Sequence, residues 1–219
     1  MMRIWVVIAA AIVSGGLLLS ATGSEPVPAA ETHTPIDTRA TMLWNRHMAD
    51  SAISILRSGD VLLRMGMGAQ SQMLARMNRG NKDFSHCGIV VVEGGYPFVY
   101  HCIGGEDNPD ARMRRDSASV FLAPQRQLAF GVVRYPLDSA AIKQQVLSWF
   151  HKRPRFDMQF DLATNDKLYC TELVYKVLTG VAGNRECIPT DTVMGHRFVG
   201  TANLCANPMA QLVWQVKYK

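Results

Sequence analysis

Cys170 lies in the stretch KLYCTELVYKVLTG, residues 167–180, where a thiol can become a nucleophile. Leu173, Val174, Val177 and Leu178 follow at helical spacing, so the pattern predicts a helix with Cys170 in or near its first turn. Asn165 or Asp166 is the expected cap and Gly180 the expected end. Unpaired N–H groups and the positive end of the helix dipole favour a thiolate at such a place, and the same N–H groups can hold an oxyanion. Two other readings of Cys170 compete: a small buried apolar residue, or half of a disulfide.

A cysteine nucleophile needs a base, and the base needs an orienting group. His86 and His101 stand out among the six histidines because both fall in HCGIVVVEGGYPFVYHCIGG, two strand patterns around a Gly-Gly turn. With Gly94-Gly95 as a two-residue turn, His86 faces Ile103 and His101 faces Gly88. The two histidines then become diagonal neighbours on one face. Gly88 between them leaves space for a thiol from another element. The same register sets Cys87 opposite Cys102 on the other face, as a cross-strand disulfide or as packed thiols. Cys187 and Cys205 are a second candidate pair, and the odd count of five cysteines leaves Cys170 over. His86-Cys87 and His101-Cys102 make a poor zinc site: strand neighbours point to opposite faces, and CxxC and HxxxH spacings are absent. No metal and no organic cofactor is expected. His33 falls in a leader, and His47, His151 and His196 read as surface or structural.

The elements that must position these groups begin after a leader. Arg3, an apolar run from Ile4 to Leu19 and then small residues have the layout of a signal peptide over 1–23, cleaved before Ser24 or after Pro28-Ala29-Ala30. No cysteine follows for a lipid anchor; an uncleaved membrane anchor is the alternative. Residues 24–37 read as a flexible leader, and 38–219 as a single domain. The expected location is therefore the periplasm or cell envelope. Net charge is +5 and falls by one with the signal; it suits peripheral contact with an anionic envelope surface and does not argue for nucleic acid. Met113-Arg114-Arg115 reads as a solvated loop. Helices are expected over 37–57, 68–80 and from Asp138 or Ser139 to Pro154, and strands over 60–64, 119–123, 129–135 and near the C-terminus. The sum is an α+β domain with an antiparallel sheet.

In order, SGDVLLR, FSHCGIVV, a strand ending VYH, RFDMQFD and LYCTELVY resemble the YiiX-like branch of the NlpC-type papain-fold hydrolases. The resemblance runs in pieces from about Gly59 to Leu178. It implies a circularly permuted papain-like fold, with the histidine hairpin first and the cysteine helix late. It implies Cys170 as nucleophile, His86 as general base and a third polar member at His101, where YiiX-like relatives often have Glu and the lecithin:retinol acyltransferase group has His. Asp60 and Asp157 match acidic places of the family and read as structural. The implied activity is a cysteine hydrolase cleaving an amide or ester through a thioester, on peptidoglycan peptides or another envelope substrate. A lipid-directed acyl hydrolase or acyltransferase, and an inactive binding module, are the alternatives.

Overall fold

Hydrophobic strands pair into a six-stranded antiparallel sheet that buries helices on both faces. The computed structural model of the chain describes residues 38–104, 108, 111–193 and 195–219, so the expected signal peptide and leader lie outside the described residues. In chain order the elements are α1 (Thr38–Ser54), β1 (Val61–Gly66), α2 (Ala69–Arg76), β2 (His86–Glu93), β3 (Tyr96–His101), β4 (Arg114–Ser117), α3 (Ala118–Phe121), β5 (Gln127–Arg134), α4 (Ser139–Lys152), β6 (Arg155–Phe156), β7 (Lys167–Leu168), α5 (Cys170–Ala182), β8 (Asp191–Val193), β9 (His196–Phe198), α6 (Thr201–Cys205) and β10 (Gln211–Lys217). The main sheet runs β10-β5-β1-β2-β3-β4.

Period-two alternation sorts the strand residues between two cores. On one face, Val61, Leu63, Cys87, Ile89, Val91 and Tyr100 pack with Ile142 and Val146 of α4 and with Leu173, Val174, Val177 and Leu178 of α5. On the other, Leu62, Val90, Val99, Phe130 and Val132 pack with Ala49 and Ala52 of α1 and with Phe121. Each aliphatic side chain so buried contributes about 1.5–3 kcal/mol.

The β2–β3 hairpin has the expected register: Glu93 pairs with Tyr96 and Ile89 with Tyr100 across Gly94-Gly95. Both turn glycines have positive φ, 56° and 86°, which a two-residue hairpin of this twist requires. Residues 119–123 were a strand by pattern, but Ala118–Phe121 form a short helix because the Ser117 hydroxyl accepts the Val120 N–H and starts a turn. The arginine cluster is not a loop: Arg114 and Arg115 belong to β4, paired with His101 and Tyr100. Arg115 stacks on Phe98 and pairs with Glu93.

Candidate active site

Cys170 is the first residue of α5. Neither Asn165 nor Asp166 caps this helix. Tyr169 stands at the cap, and its N–H donates to the Glu172 carboxylate at 3.1 Å. Glu172 is fully buried, and Lys176 lies 2.8 Å from its other oxygen. Burial pushes its pKa up to about 7 against the pull of that lysine. The helix runs past Gly180 and ends at Gly183, whose left-handed backbone (φ 63°) closes the last turn onto the Thr179 carbonyl.

The Cys87 thiol and the backbone N–H groups of Cys87, Thr171 and Cys170 are the neighbours that act on the Cys170 thiol. They hold its pKa below the ordinary thiol value, with the Cys87 thiol the largest influence and burial opposing it. Burial pushes Cys87 and Cys102 well up, so both stay protonated. All five cysteines are free, so neither Cys87–Cys102 nor Cys187–Cys205 is a disulfide.

His86 and His101 come together as the register requires. His86 Nε2 lies 2.9 Å from His101 Nδ1, and His101 Nε2 lies 3.1 Å from Asp116 Oδ2. Asp116 also takes a bond from Arg114. The sequence reading missed Asp116 because it sits in a run of arginines assigned to a loop. Its signal was the pairing of β4 with β3, which sets it opposite Val99 and diagonal to His101. A carboxylate only accepts, so the network assigns the proton on His101 to Nε2. His101 Nδ1 then accepts from His86 Nε2–H, and His86 Nδ1 keeps its lone pair. Burial, Arg64 and His101 hold the His86 pKa well below its usual value, so this imidazole is neutral at rest. His101 is also lowered, by burial above all, against the opposing pull of Asp116.

Two expectations about this site need correction. Gly88 does not make room for the thiol: a Cβ there would lie 2.6 Å from Val99 Cγ1 and 2.9 Å from His101 Cβ, so the hairpin's own side chains fill the space. Cys170 and His86 are also not hydrogen-bonded. Alternation puts the His86 side chain with Arg64 and Phe121 on the α3 face, whereas Cys170 packs on the α5 face with Cys87 and Cys102. Thiol and imidazole therefore lie on opposite faces of β2. Asp60 and Asp157 are structural, as expected: Asp60 is buried against Arg134, and Asp157 accepts the N–H groups of Gln159 and Asp161.

No family model matches the chain. The uncharacterized protein YiiX of Escherichia coli K12 is 24% identical over 132 residues, a match covering 59% of this chain and 60% of that protein's length. The crystal structure of the metalloprotein yiiX from Escherichia coli O157:H7 superposes with a TM-score of 0.60 at 17% identity, covering 74% of this chain and 98% of that one. The chain is similar to YiiX in sequence and in fold. The fold shared with that structure is a mixed α+β architecture with an antiparallel sheet.

Proposed function

We propose that this chain is a cysteine acyl hydrolase of permuted papain-like type, with Cys170 as nucleophile, His86 as general base, and His101 and Asp116 as positioning residues. The observation that carries the reading is the place of Cys170 as the first residue of α5, where unpaired helix-start N–H groups favour a thiolate; its pKa is held below the ordinary thiol value. The His86–His101–Asp116 chain supports it by leaving a neutral base nitrogen, Nδ1, on the β2 residue that adjoins the sulfur's amide partner.

In this reaction the Cys170 proton reaches His86 Nδ1 through water at the end of β2, because the two side chains lie on opposite faces of that strand. The sulfur forms a bond to the carbonyl carbon, and the N–H groups at the helix start hold the oxyanion. The carbon–nitrogen or carbon–oxygen bond breaks, and the leaving group takes the proton from His86. Water, deprotonated by His86, then attacks the thioester and restores the thiol. Because His86 is held neutral, the resting pair is thiol and imidazole rather than thiolate and imidazolium.

The solved YiiX relative is called a metalloprotein. The donors here do not fit an ion. His86 Nε2 and His101 Nδ1 point at each other across 2.9 Å, and no three His, Cys, Asp or Glu side chains among the described residues are grouped to hold a metal. No step above is routed through one. The signal-like layout of residues 1–23 supports the cell envelope as the proposed location, with an N-terminal membrane anchor as the alternative.

The test is p-nitrophenol release from p-nitrophenyl acetate by the full chain. Cys170→Ala and Cys170→Ser lose the burst while keeping the native melting temperature; an undiminished burst in Cys170→Ala ends the proposal. The missing Cys170–His86 bond favours a second reading, a binding module without turnover. That reading requires Cys170 to alkylate no faster than an ordinary thiol.

A further inference from the structure

Cys170 has a second thiol as its neighbour. Cys87 is the second residue of β2, and period-two alternation sets its side chain with Ile89 and Val91 on the face that α5 covers. Leu173, Val174 and Val177 of α5 pack into the same core, and Cys170 joins it. The Cys87 thiol hydrogen-bonds the Cys170 sulfur and is the largest influence on it. In return, Cys170 is the strongest single neighbour of Cys87, second only to burial. Cys102 and Cys205 act on Cys87 more weakly, without such a bond.

The two thiols differ in access. Cys170 keeps 8% of its surface exposed, whereas Cys87 keeps 0%. A small oxidant therefore meets Cys170 first, and Cys87 is reached only through Cys170. A thiol with thiolate character and a solvent path, beside a second thiol without one, is the arrangement of an oxidant-sensing cysteine and its resolving partner.

We propose that Cys170 and Cys87 form a reversible redox switch: hydrogen peroxide oxidises Cys170, and Cys87 then closes a disulfide that caps the nucleophile. In the first step the Cys170 sulfur attacks a peroxide oxygen. The O–O bond breaks, and the hydroxide that leaves takes the thiol proton and becomes water. Cys170 is now a sulfenic acid. In the second step the Cys87 sulfur attacks the Cys170 sulfur. The S–O bond breaks, and the departing hydroxide takes the Cys87 proton and leaves as water. The two thiols are oxidised to one disulfide, and the peroxide is reduced to two waters. A dithiol reverses the switch by thiol–disulfide exchange. While the disulfide stands, Cys170 cannot form a thioester. The inference deepens the nucleophile reading above by naming the regulation of the same sulfur. The proposed envelope location is oxidising enough for such a pair to form.

The experiment treats the reduced full chain with hydrogen peroxide, blocks the remaining thiols in denaturant and maps the peptides. A Cys87–Cys170 linked peptide should appear, and the p-nitrophenyl acetate burst should be lost with it. Dithiothreitol should restore both the Cys170 thiol and the burst. In Cys87→Ala the link is absent, and Cys170 runs on to sulfinic and sulfonic acid, which dithiothreitol does not reverse. Cys102→Ala should keep the Cys87–Cys170 link. Sulfinic acid at Cys170 without a link in the wild type, a link to Cys102 instead, or full recovery of the thiol in Cys87→Ala overturns the switch. A link formed in a chain whose reduced form shows no burst upholds the switch and ends the nucleophile reading. A burst in a chain that never forms the link ends the switch and leaves the nucleophile reading standing.

Discussion

Replacing Asp116 with Asn probes the proton wiring of the site. Asp116 Oδ2 lies 3.1 Å from His101 Nε2, and the partly exposed carboxylate is held below its usual pKa, first by that bond. A hydrogen bond to a charged group is worth about 1.5–3 kcal/mol, so losing the charge alone slows Cys170 acylation roughly 10- to 150-fold. Asn also brings a donor. Its amide can donate to His101 Nε2, which lets His101 Nδ1 carry the proton and donate to His86 Nε2. His86 Nδ1 would then be protonated and useless as a base. The comparable exchange in a serine-protease triad costs about 10⁴-fold, which bounds the loss from above. The assay pairs the burst rate on p-nitrophenyl acetate with ¹⁵N spectra of the histidines at neutral pH. The wild type should show His86 protonated at Nε2, and Asp116→Asn should move protonation toward Nδ1. A variant with more than half the wild-type burst, or a wild-type His86 already protonated at Nδ1, refutes the wiring.

Three further outcomes follow from named contacts. Gly88→Ala drives a methyl to 2.6 Å from Val99 Cγ1 and should destabilise the fold by about 1–3 kcal/mol, read as a lower urea midpoint at unchanged slope. Glu172 has a folded pKa raised to about 7 from 4.5, so the stability it contributes is complete below pH 4.5 and is lost as pH rises through 7; Glu172→Gln should flatten that part of the stability–pH curve. Iodoacetamide should label Cys170 first at neutral pH and leave Cys87 and Cys102 unlabelled until the protein is denatured, since both are fully buried and raised in pKa. Peptide mapping of the labelled thiols checks the order.

Local signals in the sequence were sufficient for the hairpin and the cysteine helix. Gly94-Gly95 set the turn, the turn set the register, and the register brought His86 to His101. The period of Leu173, Val174, Val177 and Leu178 placed the buried stripe of α5. Long-range choices were not legible. Which face of β2 receives α5 depends on how the whole sheet packs, so the pattern could not tell that Cys170 would meet Cys87 rather than the His86 ring. Asp116 escaped because its strand pairs with β3 across a connection that shows no strand signal. The cap of α5 was not legible because Glu172 reaches back from inside the helix to the Tyr169 N–H, so no polar residue in front of the helix marks its start. Ser117 turned an apolar strand pattern into a helix for a similarly local reason, a hydroxyl bonding the N–H of Val120.

The most direct test is the pH dependence of Cys170 alkylation in the intact chain. Thiolate stabilisation by the helix-start N–H groups and the Cys87 thiol predicts a half-point clearly below that of a free cysteine, about 8.5, with an upward shift in Cys87→Ala. A half-point at or above the free value would mean that the sulfur is only a buried packing atom, and the catalytic account would fall with it.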